Sequence, residues 1–361
     1  MRFEASPTGF SLTAIDERGQ LFICGQTFLE GNEYVSRFVE VPQLPPVIRA
    51  AAGADRCAAV TTDGRLFTWS GGPMPGDAET APRCVAVNPK EVVFPRGEKV
   101  TDAAVGDLFS AALTASGRLY RWGETDGVGE GGETATDGCL RAAVVEPGDA
   151  AETRLTAAVC GYDFAAAPGE DGCVFVWGRL PGTETVSDKP VRAEGIGDAQ
   201  AVVCGCRHIA VLHRDGTVSA WGSGGDGRLG TGRFGDEPRP CGVVSPDGSG
   251  LLSDVVSLAA GAGHTAAVTG DGRLFVWGRN IGGVFGSGYR IGLESAIPLP
   301  VDISMFGRRS VRKVYGGHDC LHVLLSDRRL YSWGLETAGE FGCGARTPRI
   351  TGMPQKAELP D

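Results

Sequence analysis

Hydrophobic and polar positions alternate with period two over short stretches along nearly the whole chain, and glycine cuts each stretch off. Period-two alternation marks a half-buried strand, whereas a helix needs apolar positions three and four apart. Val255-Val256-Ser257-Leu258-Ala259-Ala260 reads as one strand, His264-Thr265-Ala266-Ala267-Val268-Thr269 as a second, and Arg273-Leu274-Phe275-Val276-Trp277 as a third. Gly261-Ala262-Gly263 turns the chain between the first two, and Asp271-Gly272 forms a two-residue hairpin between the second and third. An Asp-Gly pair supplies the positive φ that such a hairpin needs. Asp63-Gly64, Asp171-Gly172 and Asp215-Gly216 do the same elsewhere; Ser116-Gly117 is a fair substitute and Asp327-Arg328 the weakest. A proline-bearing segment between copies, such as Ile297-Pro298-Leu299-Pro300-Val301, fits a fourth, outer strand, where proline blunts edge pairing.

The same phrase recurs. Trp69, Trp122, Trp177, Trp221, Trp277 and Trp333 each close a third strand, and Leu21-Phe22-Ile23-Cys24 is a seventh copy with cysteine in the tryptophan slot. These anchors lie 45, 53, 55, 44, 56 and 56 residues apart. Sixteen residues before each tryptophan stands a glycine: Gly53, Gly106, Gly161, Gly205, Gly261 and Gly317. First strands are rich in alanine (Ala50-Ala51-Ala52, Ala259-Ala260), as radially packed sheets require near a common axis. Four short strands repeated seven times predict an all-β fold, a seven-bladed β-propeller, as a single domain over residues 1–361. The C-terminal Met353-Pro354-Gln355-Lys356-Ala357-Glu358-Leu359 resembles the outer-strand phrase, and Phe3-Glu4-Ala5 begins where an inner strand should. The ring is therefore expected to close within one blade, its outer strand from the C-terminus and its inner three from the N-terminus.

Composition narrows the function. Glycine fills 56 of 361 positions, roughly twice its usual share, and the turns account for the surplus. Asp and Glu number 44 against 34 Lys and Arg, a net charge of −10, which argues against holding nucleic acid or anionic lipid through a basic surface. No uninterrupted apolar run is long enough to cross a bilayer. Met1-Arg2-Phe3-Glu4-Ala5 has neither the apolar core of a signal peptide nor the acid-free Arg/Ser bias of a transit peptide. Eleven cysteines, an odd number without framework spacing, fit buried free thiols in a reducing compartment.

Gly-x-x-His, then Asp-Gly-Arg-Leu-Phe-Val-Trp-Gly, then Gly-x-Leu-Gly-x-Gly is a specific combination. It is clearest from Gly205 through Trp221-Gly222 to Gly227-Arg228-Leu229-Gly230-Thr231-Gly232, and from Gly261 through Trp277-Gly278 to Gly283-Val284-Phe285-Gly286-Ser287-Gly288. In these motifs the chain resembles the regulator of chromosome condensation repeat family over essentially its whole length. Departures are Cys24 for the first tryptophan, Ser70 for the glycine that follows the second, and the lack of a clear glycine-rich loop in the second and fourth copies. The resemblance implies a propeller whose roles in the family range from nucleotide exchange on the small GTPase Ran to nucleosome docking, light sensing and scaffolding at cilia or on ubiquitin ligases. Exchange factors of the family use acidic and histidine side chains in the turn after the first strand, and a wedge-like hairpin after one tryptophan. Here Asp107 and Asp163 occupy such turns, His264 a histidine slot, and Glu124 to Gly132, with Glu124, Asp126 and Glu130, the place of the wedge.

Cys204-Gly205-Cys206-Arg207-His208 invites a metal reading, yet each position is a repeat slot and no CxxC pair accompanies it, so no metal and no cofactor are expected. The five histidines show no nucleophile–base set. The expected function is therefore non-catalytic: a protein-interaction scaffold that binds partner proteins through its loop faces, with exchange on a Ran-like GTPase as the alternative. Turns after the first strand and loops after the tryptophans should share one acidic face. Asp55, Asp107, Asp163, Asp319, Glu124, Asp126, Glu130, Glu133 and Glu336 are placed there, partly offset by Arg56, Arg207 and His318. Tyr162 and His264 complete the candidate partner-binding set. A small GTPase or a large cytoskeletal or ciliary assembly is the expected kind of partner. The expected location is cytoplasmic, or associated with the nucleus, cytoskeleton or cilium.

Overall fold

Each copy of the phrase folds into one antiparallel sheet, and seven such sheets stand around a common axis. This computed structural model describes residues 1–361 apart from 6–8, 30–31, 55, 71–88, 109, 123–139, 287–291, 346–347 and 361. The blades, numbered along the chain, begin with inner strands Arg2–Ala5, Val47–Ala52, Val100–Val105, Val159–Cys160, Ala199–Cys204, Val255–Ala260 and Val311–Gly316. Blade 6 shows the plan. Val255–Ala260 pairs with His264–Thr269, that with Leu274–Arg279, and that with the outer strand Glu294–Pro300. Asp327-Arg328, the weakest hairpin in sequence, is made by forcing Arg328 to φ +67°, a conformation that costs a residue with a Cβ roughly 1–2 kcal/mol. No helix among the described residues is long and apolar enough to cross a membrane.

The core lies between blades. Second strands such as His208–His213 and His264–Thr269 are buried at every position, because a neighbouring sheet covers each face. Trp277 of blade 6 shares an apolar cluster with Leu212, Val218 and Val243 of blade 5, and Trp221 of blade 5 shares one with Val174 and Val176 of blade 4. Each of the six tryptophans is at most 4% exposed. The anchor glycines meet at the inner ring, where the requirement is close approach and not positive φ. A Cβ on Gly53 would lie 2.7 Å from the Gly106 carbonyl, one on Gly161 2.7 Å from Gly205 O, and one on Gly261 2.5 Å from Gly317 O.

Ring closure differs from the sequence expectation. The first blade carries its own outer strand: Leu21–Leu29 pairs with Asn32–Glu40, with Phe22 opposite Glu40. Its outer edge is thus taken, and the C-terminal strand Arg349–Lys356 instead completes blade 7 against Leu330–Glu336. Both termini do not meet within one blade. The seam between blades 7 and 1 closes by side-chain packing, with Phe3, Leu12 and Cys24 in one cluster with Tyr315, Leu330 and Ala357. The Arg37–Glu358 ion pair at 2.7 Å and the Gly344 N–H to Ser36 O bond at 2.6 Å tie its rim. A second difference is that Leu140–Arg141 adds a fifth strand, parallel, to Lys90–Val93 of blade 2.

Candidate functional site

The turns after the first strands and the residues after the tryptophans do share one face, and a recurring bond fixes them together. The N–H two residues past the anchor donates to the turn carbonyl: Gln26 to Phe10, Arg179 to Asp163, Ser223 to Arg207, Arg279 to Gly263 and Leu335 to Asp319, at 2.7–2.9 Å. Turns also bond to turns around the axis. Leu108 N–H donates to Tyr162 O (3.2 Å), Tyr162 N–H to Cys206 O (2.9 Å) and Ala262 N–H to His318 O (2.8 Å).

On this frame the acidic turns are not bare. Arg179 Nε donates to Asp163 at 2.9 Å. Arg279 Nη2 reaches across the seam to Asp319 of blade 7 at 3.3 Å, and His318 Nδ1 meets the other Asp319 oxygen at 2.8 Å. Burial opposes the Asp319 charge, but the His318 bond and the His318 and Arg279 charges outweigh it and hold the carboxyl below its ordinary range. Arg228 forks onto Asp226 and donates a third bond to Ala262 O at 2.8 Å. This pair is nearly buried, with 13% and 10% of the side chains exposed. Gly263 makes the Arg279 crossing possible, since a Cβ there would lie 2.8 Å from Arg279 Nε. Nearer the axis, burial first and the Asp107 charge second push the Cys206 thiol up to about 12. Arg207 is exposed and lies over the Tyr162 ring, 5.7 Å from its centroid, within cation–π range.

The structure therefore gathers Asp107, Tyr162, Asp163, Arg207, His318 and Asp319 around one mouth. It corrects two others. His264 is 1% exposed; as the first residue of a second strand its ring turns into the seam, where burial pushes its pKa down to about 4. Glu336 is also buried, accepting from Phe341 N–H at 3.2 Å and pairing with Arg349. It fills the slot of Asn280, whose Oδ1 accepts from Phe285 N–H at 3.0 Å. Asp55, Glu124, Asp126, Glu130 and Glu133 lie outside the described residues, as does the stretch in the place of the wedge. The sequence reading missed Arg179, Asp226, Arg228 and Arg279. The signal was present in Trp177-Gly178-Arg179 and Trp277-Gly278-Arg279, where a cation stands at the same distance from the anchor in two copies.

A seven-bladed propeller with a preformed, charge-paired mouth on its loop face defines a class of protein, and the comparisons specify it. The pattern described as the Regulator of chromosome condensation (RCC1) repeat matches residues 215–268 and 271–324. The chain belongs to the regulator of chromosome condensation repeat family. It is similar to Protein pim1 of Schizosaccharomyces pombe, 29% identical over 67% of this chain and 48% of that protein. It is also similar to the E3 ubiquitin-protein ligase HERC2 of Homo sapiens, 30% identical over 85% of this chain and 6% of that protein. The chain thus spans about half the length of the first of these relatives and a small part of the second. Among solved structures, Prp20p of Saccharomyces cerevisiae, whose binding properties to Gsp1p and histones are described, superposes with a TM-score of 0.71 at 19% identity, over 96% of this chain and 88% of that one.

Proposed function

We propose that this chain is a non-catalytic platform that seats a partner protein on the loop face around its axis. The mouth of charged turns, fixed by bonds from blade to blade, carries this reading. Its carboxylates and guanidinium groups are held in place before any partner arrives, so little ordering is left to do on binding and the charges serve specificity. His208 and His322 are 0% exposed; burial pushes both down, His322 to about 3, which keeps them neutral and away from any substrate. A second reading is exchange on a small GTPase, favoured by Asp107 beside Cys206 and by the likeness to Prp20p.

Affinity purification from the native cell supplies the partner to test. Arg207→Glu and Asp107→Asn should each weaken its binding by about tenfold or more, while circular dichroism melts stay close to wild type. Wild type should not accelerate release of a fluorescent GDP analogue from Ran in stopped flow. Robust acceleration, lost in Asp107→Asn, would replace the platform by the exchange factor. Unchanged partner binding in both variants would remove the loop face from either reading.

A further inference from the structure

Where blades 5, 6 and 7 pass to the next blade, the loop after the third strand folds over the neighbour's anchor. Leu229 packs in one cluster with Trp277, and Gly230 comes so close that a Cβ there would lie 2.6 Å from Trp277 Nε1. Val284 and Phe285 pack with Trp333, whose Nε1 donates to Val284 O at 2.9 Å. In blade 7, Gly342 lies against Cys24, and the Cys24 thiol donates to Glu340 O at 3.7 Å. Each of these loops sends one large apolar side chain inward from between glycines: Leu229, Phe285 and Phe341 are at most 6% exposed.

Blade 4 has no such loop. Its connection runs only from 180 to 185, against 223–236, 280–293 and 337–348 in blades 5 to 7, and it offers this seam only the partly buried Leu180, packed against the cluster that holds Trp221. Over this thinner cover, beneath which Trp221 is 3% exposed, lies a groove of about 220 Å³ lined by Leu180, Pro181, Ala193, Trp221, Pro238 and Pro240. Pro238 and Pro240 lie in the outer strand Glu237–Gly242 and have no N–H to offer, which disfavours capture of a partner by strand addition. Arg192, Arg239 and Glu194 form the rim. Among the groove's own lining residues two cations face one anion. Asp171 lies near Arg192, whereas among the described residues the Arg239 side chain meets only Glu194, at 3.6 Å with both side chains more than three-quarters exposed, a contact that holds little of its charge back.

We propose that this groove is a docking site for an extended segment of a partner protein. The segment inserts a leucine or phenylalanine side chain beside Trp221 and places an acidic neighbour against Arg192 and Arg239. The occupant is read from the chain itself: at two other seams a leucine or phenylalanine between glycines, Leu229 or Phe285, packs with the next blade's tryptophan. The site lies at the rim of blades 4 and 5, apart from the mouth at the axis.

Dodecapeptides selected from a random phage library on the full chain, then fluorescein-labelled and titrated by anisotropy, test this. Recovered peptides should share a leucine or phenylalanine beside Asp or Glu. Ala193→Trp, which fills the groove, should weaken them at least about tenfold. Arg239→Glu should weaken them severalfold, and Arg207→Glu at the axial mouth should leave them unchanged. The proposal is overturned if no such sequence is recovered, or if the peptides bind the Ala193→Trp and Arg239→Glu proteins like wild type. Loss in Arg207→Glu alone also overturns it, and assigns the peptides to the mouth. If Ala193→Trp does not fold, the Arg239→Glu titration decides, because that side chain is largely exposed.

Discussion

Replacing Gly261 by alanine is expected to lower stability by about 1–3 kcal/mol or more, the cost of overpacking a fixed interior. The new methyl carbon would stand 2.5 Å from the Gly317 carbonyl of the next blade and closer still to the His264 ring. Neither neighbour is a flexible tip. One is backbone locked by the Gly317 N–H bond to Cys320 O, and the other is a ring buried in the seam. Relief therefore requires blades 6 and 7 to part. Gly197→Ala is the control: nothing lies within 4 Å of a Cβ there and the backbone is not left-handed, so the change should be neutral or slightly stabilising. Urea unfolding of both variants checks the claim, and a Gly261→Ala midpoint equal to that of Gly197→Ala would refute the inner-ring argument.

The second large effect is a pH dependence at the closing seam. Glu340 is 2% exposed, and its two oxygens accept Thr337 N–H at 2.9 Å and Ala338 N–H at 2.7 Å. Burial outweighs those bonds, the Glu336 charge adds to it, and the pKa rises from an ordinary 4.5 to about 7. Between these values the folded state holds a proton that the unfolded state has released, so stability falls as pH rises from 4.5 through 7. Above 7 the penalty is fully present, about 3 kcal/mol at most. His264 and His322, pushed down to about 4 and about 3, act oppositely: the stability they contribute as neutral groups is lost as pH falls below about 6.5. Comparing wild type with Glu340→Gln cancels the histidines. The stability difference between the two should shift by up to about 3 kcal/mol between pH 5 and pH 8, and parallel curves in denaturant titrations would show that Glu340 does not titrate there.

The blades were legible because each makes the same demand. Tryptophan fills a seam, glycine lets two backbones touch, and Asp-Gly turns a hairpin. Closure was not legible because the proline-bearing segment lies between copies and reads equally well as the end of one or the start of the next. Only the pairing of Phe22 with Glu40 and of Glu336 with Arg349 assigns it. Glu336 looked like a surface acid because charge alone does not reveal that a loop N–H needs an acceptor at that slot, as it does at Asn280. The aspartates of the mouth were found, and their arginines were not, because Arg279 serves the turn of the following blade and its partner is 40 residues away.

Each of the seven blades takes its four main strands from one unbroken stretch of sequence, and this governs the order in which the molecule can assemble. Six seams join neighbours along the chain, so each can form as soon as the next blade has been synthesised, at little entropic cost in loop closure. The remaining seam brings Cys24 to Glu340 across 316 residues and can form only when almost the whole chain is present. Folding should thus show early growth of sheet signal followed by one slow, late event, sensed at the Cys24 thiol as it passes from reactive to shielded.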